Sequence, residues 1–305
     1  MKVVIAGGSG ALGRRLGDDL AERGHDVVVL SRTPDPRARP RQVGWDGATP
    51  GPWARELRGA AVVNLAGALV DRRPTPANVD LLTTSRVRPT RALAAAAAAL
   101  DEPVPVWVQA STAAIHGDAG DAVLTEDSPV ADGPPQMAGV ARAWEAAATD
   151  LPARRTVVLR TSVVLDRGTP ALDRLLLLTR WGLGGRVGSG RQWFSWIHVE
   201  DWLAVVRTAL EQPTLSGVVL ATGPAPVRNA ELMATLRAVV GRPPAPPTPA
   251  PLLRVGALLL RTDPALGLTG RRVVPARLQA AGFAFAHPTL RPALTDLLGG
   301  PSTSS

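Results

Sequence analysis

The chain has 305 residues, 45% of them hydrophobic, so it can bury a large core as one large domain or two closely packed ones. It contains no cysteine and no tyrosine, and Lys2 is its only lysine. This composition excludes disulfides, thiolate nucleophiles and Cys-ligated metal sites, and it nearly excludes lysine chemistry.

The formal net charge of +8 comes from arginines that are scattered along the chain. Scatter favours a compositional bias, so we expect no nucleic-acid partner; the weaker alternative, binding through the arginines, predicts salt-sensitive retention on DNA. No segment approaches the roughly 18 consecutive apolar residues of a membrane span, and the N-terminus lacks the pattern of a signal peptide. We therefore expect a cytoplasmic protein with no membrane partner.

The first half of the chain alternates predicted strands and helices. The predicted strands are short apolar runs, typical of strands buried on both faces of a parallel sheet; they cover residues 2–6, 26–30, 42–45, 60–65, 104–110 and 156–165. Helices predicted at 14–23, 83–100 and 137–149 separate them. This alternation predicts an α/β fold with a doubly wound parallel sheet of the Rossmann type.

A glycine cluster joins the first predicted strand to the first helix. Gly7 permits a tight turn, Gly10 lets the backbone approach a pyrophosphate, and Gly13 allows close packing of helix on sheet. The alternative is a glycine-rich turn without a ligand. The helix N-terminus favours phosphate groups, and the expected dinucleotide site comprises Gly7, Ser9, Gly10, Ala11, Leu12 and Gly13, with Asn64, Ala66 and Gly67 after the fourth strand.

The end of the second predicted strand indicates which dinucleotide is bound. An NAD site normally has Asp or Glu there, about 20 residues beyond the glycines, to bind the ribose hydroxyls. This chain has Ser31 and Arg32 instead. A guanidinium can bind a 2′-phosphate with two hydrogen bonds, so we expect NADP(H), with NAD(H) less favoured. The alternative is that Arg32 is simply solvated.

Beyond residue 165 the pattern changes to predicted helices at 170–181, 201–211, 229–240, 252–260, 271–281 and 289–298, with a strand at 218–222. Residues 182–190 are glycine-rich and predict a mobile loop over a substrate site, and residues 243–249 are a proline-rich connector. We expect residues 1–165 to form a dinucleotide-binding domain that 199–225 rejoins. Residues 166–198 and 226–300 would form a smaller, mainly C-terminal, substrate-binding cap, with 301–305 a disordered tail.

Several motifs together resemble one family, the extended or atypical short-chain dehydrogenase/reductases. The similarity is to their epimerase-like, NADP-binding oxidoreductases with a small C-terminal domain. The matching segments are Gly7–Gly13, Asn64–Gly67, Ser111–Ala113, Arg142–Glu145, Gly188–Asp201, Gly270–Arg277 and Ala281–Phe283. They cover the chain from Met1 to Leu298.

This resemblance implies catalysis by a Tyr-x-x-x-Lys pair assisted by a serine, and the chain lacks that pair. Aligned on Glu145, the two positions fall at Met137 and Ala141, and neither side chain transfers a proton. With no tyrosine in the chain and Lys2 as its only lysine, no shift of alignment restores the pair. Members of the family commonly lack it as well, so we interpret the loss as a family trait.

Two residues are candidates for the remaining chemistry. Ser111 ends the fifth strand, where doubly wound folds place ligands, and can hydrogen-bond a substrate carbonyl; the alternative is a structural hydroxyl. His116 lies in the following loop near Asp118 and is the candidate replacement acid or base. The alternative is a solvated loop histidine.

We expect substrate contacts from Thr112, Arg191, Trp193 and His198. The segment that holds the last three helps form the substrate pocket in the extended family members that the chain resembles. Arg191 beside glycines favours an anionic group; the alternatives are core packing for Trp193 and a backbone hydrogen bond for His198. No His or carboxylate cluster has metal-ligand spacing, so we expect no metal site.

Together these residues predict an NADP(H)-dependent oxidoreductase or epimerase of a small molecule. An anionic substrate and a homodimeric assembly are left open. The alternative function is a non-catalytic NADP(H)-binding sensor, which would keep the cofactor site without the catalytic pair.

Overall fold

The computed structural model describes residues 1–259 and 263–299, and the predicted tail lies outside them. Its strands are β1 (Lys2–Ala6), β2 (Asp26–Ser31), β3 (Arg41–Gly44), β4 (Ala61–Asn64), β5 (Trp107–Thr112), β6 (Val123–Leu124), β7 (Thr156–Thr161), β8 (Val163–Leu165), β9 (Trp193–Phe194), β10 (Trp196–His198), β11 (Gly217–Ala221), β12 (Val227–Arg228) and β13 (Arg272–Val273).

Seven of these strands form one parallel sheet in the order β11-β7-β5-β4-β1-β2-β3. The chain order reverses between β1 and β4, which is the point where ligands bind in open sheets of this kind. The predicted strand at 218–222 is β11, and it joins the sheet at the edge beyond β7. The doubly wound α/β fold is confirmed.

The helices are α1 (Ala11–Glu22), α2 (Pro76–Ala98), α3 (Val140–Ala146), α4 (Pro170–Arg180), α5 (Val199–Glu211), α6 (Asn229–Val239), α7 (Ala250–Leu259), α8 (Ala265–Leu268), α9 (Ala276–Ala280) and α10 (Leu290–Leu298). A π-helical turn at Pro135–Gly139 precedes α3. Among the helices of the described residues, none combines the length and apolar character that a bilayer crossing needs.

Two apolar cores lie on opposite faces of the sheet. Val3 and Ile5 pack in one core with residues of α1 and α5, while Val4 and Ala6 pack in the other with residues of α2. All four side chains of β1 are fully buried. Alternate residues of β1 therefore pack in opposite cores, which is why its sequence is a continuous apolar run.

Two predicted elements differ from the structure in type or in strand pairing, beyond shifts of their ends. The strand predicted at 156–165 is two strands, because β8 leaves the sheet after Ser162 and pairs with β10. The range 271–281, predicted as one helix, contains strand β13, which pairs with β6, followed by the short helix α9. Pro275, at the N-cap of α9, marks the boundary that the apolar spacing concealed.

Candidate functional site

The turn between β1 and α1 has no room for side chains at its glycines. Gly7 has φ +81°, and a Cβ there would lie 2.7 Å from the carbonyl carbon of Leu65. A Cβ at Gly8 would lie 2.6 Å from Val29, and one at Gly13 would lie 2.5 Å from the Cα of Gly8. The turn is therefore packed against β2 and the end of β4, so its path depends on glycine.

The first turn of α1 begins at this site without a capping side chain. Gly10 is the N-cap and offers no side-chain acceptor, and Ser9 and Gly10 are exposed. Arg14 on α1 donates a hydrogen bond to the carbonyl of Ser9, which holds a guanidinium over the turn. The helix dipole, the uncapped N–H groups and this cation together favour a bound anion. Sequence reasoning missed Arg14.

Ser31 and Arg32 lie where β2 ends, beside β1 and on the same edge of the sheet as the glycine turn. The buried Ser31 hydroxyl accepts a hydrogen bond from the Thr33 N–H, so its own proton is free to donate. Arg32 is exposed, and it forms no ion pair within residues 1–259 and 263–299. Its guanidinium is thus available to a phosphate at this edge.

The end of β4 is held by a fully buried amide. Asn64 donates to Thr90 and to Gln109, at 2.9 and 3.0 Å, and its Oδ1 accepts the Ala66 N–H at 3.1 Å. All of its hydrogen bonds order the loop beside the glycine turn. The geometry therefore supports a positioning role for Asn64, whose contacts in turn fix Ala66.

Arg86 on α2 is a buried cation below the same loop, and it was not singled out from the sequence. It donates to the carbonyls of Leu82 and Ala68, both at 3.0 Å, and lies 5.1 Å from the ring of Trp144. A Cβ at Gly67 would come within 3.0 Å of its side chain. Burial lowers the pKa of Arg86 to about 10, and no carboxylate pairs with it in the part of the chain described.

Ser111 is engaged in a buried ion-pair network rather than free for substrate. Its hydroxyl donates to Glu145 Oε1 at 2.5 Å, and Arg160 donates to both oxygens of the same carboxylate at 2.9 Å. Ser111 and Arg160 are register partners on β5 and β7, which brings them together. Because its single proton is donated to Glu145, this geometry favours the alternative of a structural hydroxyl for Ser111 over contact with a substrate carbonyl. Sequence reasoning used Glu145 only as an alignment anchor and missed Arg160.

Thr112 is the hydroxyl at this strand end with a proton to give. Successive residues of β5 point to opposite faces, so Thr112 faces away from the Ser111 network. It is half-buried, and its Oγ1 accepts a hydrogen bond from the Ala114 N–H at 3.1 Å. Its own proton remains available to a carbonyl oxygen.

His116 is buried, with only 4% of its surface exposed. Its Nδ1 lies 2.9 Å from the carbonyl of Pro129 and so carries the proton, while Nε2 lies 3.5 Å from Arg160. Burial lowers the pKa of His116, and the charges of Arg160 and Arg271 lower it further.

His116 is therefore not a solvated loop residue. Its Nδ1 proton is donated to the Pro129 carbonyl, and a neutral imidazole held in this way is not a ready acid, so the acid or base role stays a prediction. Asp118, its expected carboxylate partner, instead accepts the N–H of Gly120.

The two positions that the family resemblance assigns to a Tyr-Lys pair carry apolar side chains. Met137 is half-buried in the π-helical turn before α3, and Ala141 on α3 is only 1% exposed. The neighbouring Gln136 donates to the carbonyl of Arg72 at 2.7 Å, so this turn is fixed to the loop that follows β4.

Trp193 is held between two guanidinium groups. Arg228 lies 3.9 Å and Arg272 4.7 Å from its ring, and its indole N–H donates to Asp121 at 3.0 Å. Arg228 also donates to Asp121 and to the carbonyl of Arg191. The exposed Arg191 is therefore one of several cations on this surface, with Arg228 and Arg272. Of these three arginines, only Arg191 was predicted from the sequence.

His198 caps a helix and does not face a cleft. Its Nδ1 accepts the Glu200 N–H at 3.2 Å at the start of α5, and its ring stacks on His287 at 3.8 Å. Because it is 1% exposed and caps α5, this geometry favours the alternative of a backbone hydrogen bond over a substrate contact.

The structure also brings His198, Glu200 and His287 within 4.8 Å of one another, a grouping that sequence spacing did not indicate. If both stacked rings bound one zinc ion at ordinary Zn–N distances, the angle between the two Zn–N bonds would be only about 70°. That angle is too small for the tetrahedral geometry that zinc prefers. The Nε2 atoms of the two rings lie 3.3 Å from Asp296 and 3.1 Å from Glu200. Only His287 is hydrogen-bonded to its carboxylate, since the buried Nε2 of His198 has no hydrogen-bond partner among the described residues. The stacking of the two rings nevertheless fits a shared metal ion poorly.

Comparison with known proteins agrees with this geometry. Residues 3–219 match the NAD dependent epimerase/dehydratase family, and residues 248–297 match a domain of unknown function (DUF1731). The chain is 36% identical to epimerase family protein SDR39U1 of Bos taurus over 98% of this chain and 100% of that protein. It is 37% identical to an epimerase family protein of Mycobacterium bovis over 96% of each chain.

The crystal structure of human epimerase family protein SDR39U1 (isoform 2) with NADPH superposes with a TM-score of 0.86 at 34% identity. The match covers 97% of this chain and 99% of that one. The family resemblance drawn from the sequence motifs is thereby confirmed, and the chain belongs to the NAD dependent epimerase/dehydratase family.

Proposed function

We propose that this protein binds NADP(H) and acts as an oxidoreductase on a small molecule. The observation that carries the proposal is the glycine turn at the switch between β1 and β4, closed to side chains and open at the uncapped start of α1. Phosphate groups would be held there by the N–H groups of Ala11, Leu12 and Gly13, while the Gly10 N–H donates to the Gly7 carbonyl and fixes the turn. A relative that is 34% identical was solved with NADPH.

Selection of NADP(H) over NAD(H) rests on Ser31 and Arg32. An exposed guanidinium without an ion-pair partner among the described residues suits a 2′-phosphate, and the Ser31 hydroxyl has a proton to donate. An acidic residue, which would bind the ribose hydroxyls of NAD, is absent from both positions.

The bound cofactor supplies or accepts a hydride, and the chain's own residues orient the substrate. Thr112 donates a hydrogen bond to the substrate carbonyl, taking the role first expected of Ser111. Epimerisation through an alcohol-to-ketone step needs a base for the hydroxyl proton. The Ser111 hydroxyl is engaged with Glu145, and Nε2 of His116, its acceptor nitrogen, is buried and faces the Arg160 guanidinium at 3.5 Å, so neither is well placed as that base. Hydride transfer to an acceptor that water then protonates needs no such base, so reduction is favoured.

The division into a dinucleotide domain and a cap belongs to the same proposal. Residues 1–165 with 199–225 would bind the cofactor, and residues 166–198 and 226–300 would cover the substrate. Arg191 and Arg228 beside Trp193 form a cationic surface suited to an anionic substrate group.

A non-catalytic NADP(H) sensor is the second candidate. It is favoured by the hydrogen bonds that occupy both expected catalytic residues, Ser111 and His116. The two candidates share the cofactor site and differ only in turnover.

Calorimetric titration with NADPH and NADH tests the shared claim, and we expect NADPH to bind at least tenfold more tightly. Absence of NADPH binding would contradict both candidates. NADPH oxidation is then followed against a panel of aldehydes, ketones and enones, with and without an anionic group. Turnover of any of these supports the oxidoreductase; tight binding with no turnover across the panel supports the sensor.

A further inference from the structure

Large exposed apolar side chains lie mainly in the cap and in the loop after β4. Those at least 55% exposed are Leu69, Leu177, Trp181, Leu183, Leu252 and Leu258, with Trp181 reaching 77%. Elsewhere in the described ranges, only Met1 is exposed to that degree. Contiguous exposed apolar surface of this kind marks an interaction site more often than chance placement.

Helix α4 presents its apolar residues to solvent in a helical stripe. Leu172, Leu176 and Thr179 are buried against the protein. Leu177, Leu178 and Trp181, at the spacing of one helix face, lie on the outside. The outer side of α4 therefore carries large apolar side chains among the exposed Asp173, Arg174 and Arg180, more than a helix that meets only water requires.

Contacts at both ends hold α4 and α7 beside each other. Arg174 on α4 pairs with Asp71, and Arg73 donates to the carbonyl of Leu258 on α7. At the other end, the chain after α4 meets the chain before α7. Val187 bridges to Thr248 there. The six residues above, with Leu178, thus form one surface, which we call the leucine face.

Positive charge predominates around the leucine face, where the nearby carboxylates are Asp71, which pairs with Arg174, and Asp173 in the first turn of α4. Residues 174–199 and 232–259 contain no Asp or Glu, and their charged residues are Arg174, Arg180, Arg186, Arg191, Arg237, Arg242 and Arg254. Arg180, Arg186 and Arg254 are exposed. A partner for this surface must combine an apolar interior with negative charge at its boundary.

We propose that the leucine face docks on an anionic lipid membrane surface. Leucines and a tryptophan enter the headgroup and acyl boundary while the surrounding arginines meet lipid phosphates, the arrangement of interfacial helices. The sequence expectation of no membrane partner rested on the lack of a spanning segment, and a helix that lies on a membrane needs none.

The test is co-sedimentation of the full chain with vesicles of phosphatidylcholine alone and of phosphatidylcholine with 30% phosphatidylglycerol. We expect binding to the anionic vesicles, weakened by 0.5 M salt, and at least tenfold weaker binding to the neutral ones. The triple variant Leu177→Ser, Leu178→Ser, Trp181→Ser should lower anionic-vesicle affinity by about tenfold or more.

Matched variants separate this surface from general effects. Leu81→Ser with Val123→Ser and Val130→Ser removes three exposed apolar side chains elsewhere and should bind as the wild type does. Arg180→Ser with Arg254→Ser should weaken binding about fivefold for each arginine. Arg58→Ser with Arg91→Ser changes the net charge equally at other exposed positions and should weaken it much less. Circular dichroism confirms that each variant is folded.

Three results would overturn the proposal. Wild-type protein that fails to bind anionic vesicles is one, and equal loss in the two triple variants is another. The third is a dimer, seen by light scattering, that the Leu177 triple variant dissociates while vesicles bind neither form. That result would assign the leucine face to a second copy of the chain.

Discussion

Ser111 donates its hydroxyl proton to Glu145 across 2.5 Å, and Arg160 holds both oxygens of that carboxylate. The network joins β5, β7 and α3 beneath the carboxyl edge of the sheet. Its hydrogen bonds are charge-assisted because Glu145 and Arg160 are ionised. They are poorly screened by solvent because the members of the network are mostly buried. Ser111 thus contributes to stability, and the adjacent Thr112 is left to face a ligand.

Ser111→Ala and Thr112→Val should have opposite consequences. We expect Ser111→Ala to lower the free energy of unfolding by about 1.5–3 kcal/mol, since it removes a hydrogen bond to a charged group, and to leave kcat/KM nearly unchanged. Thr112→Val should lower kcat/KM about tenfold through the lost donor, with Thr112→Ser retaining activity. Urea unfolding and NADPH oxidation measure the two effects, and a larger activity loss in Ser111→Ala would contradict this assignment.

Arg32→Ala should discriminate between the two nicotinamide cofactors. Loss of a charge-assisted contact to the 2′-phosphate should weaken NADPH binding by about tenfold to a hundredfold. NADH lacks that phosphate, so its affinity should stay within about twofold. Calorimetry compares the two, with Arg37→Ala as an exposed control in the same connection. Equal weakening of NADPH and NADH binding would contradict the assignment of Arg32 to the 2′-phosphate.

Gly13→Ala should disrupt the glycine turn, because its Cβ would lie 2.5 Å from the Cα of Gly8. We expect about 1–3 kcal/mol of destabilisation, as for overpacked cores, together with loss of NADPH binding. Gly256→Ala in α7 is the matched control, since no atom lies within 4 Å of its added Cβ. That control should be neutral or gain about 0.5–1 kcal/mol. Thermal unfolding with and without NADPH measures both the stability and the cofactor binding of each variant. Unaltered NADPH binding by Gly13→Ala would contradict the proposed phosphate site at the glycine turn.

Stability should fall as the pH drops below about 6.5, the ordinary pKa of an unfolded-chain histidine. Burial lowers the pKa of His198, and the neighbouring His287 lowers it further; burial also lowers the pKa of His116. The unfolded chain therefore binds more protons than the folded one below that pH, so acid favours unfolding. Above it, the stabilisation is complete.

His198→Asn should make this pH dependence shallower. Asparagine retains an N-cap acceptor for the Glu200 N–H and does not titrate. Urea unfolding at pH 7.5 and 5.5 gives the slope for each protein. An unchanged slope in the variant would exclude His198 as a source of the acid sensitivity.

The fold could be predicted from the sequence because local signals agreed. Apolar runs such as Val3–Ala6, followed by Gly7–Gly13 and an amphipathic helix, mark a buried parallel strand and its turn. The signals failed where distant pairing decides structure. Arg272 and Val273 form a strand because they meet Val123 and Leu124, which lie far away in the chain.

The candidate site was less predictable, because the hydrogen-bond partner of a side chain is often a residue far away in the chain. The sequence placed Ser111 and Thr112 at the correct strand end but gave no means to see that only Ser111 meets Glu145. The partner of His116 is the backbone of Pro129, which no residue pattern encodes. Arg14 and Arg86 were concealed among many arginines.

The burial of Ala141 limits how the chain can change. Placing a Tyr-Lys pair at the positions that the family resemblance assigns to it would take Met137→Tyr and Ala141→Lys, but position 141 has only 1% of its surface exposed. A lysine there would need its ammonium desolvated or α3 displaced, which is strongly unfavourable. Two point substitutions would not recover tyrosine-dependent catalysis, so reversion requires repacking of α3 first. Loss of the pair is in this sense fixed by the core, and redesign for proton transfer has a better starting position at half-exposed Thr112.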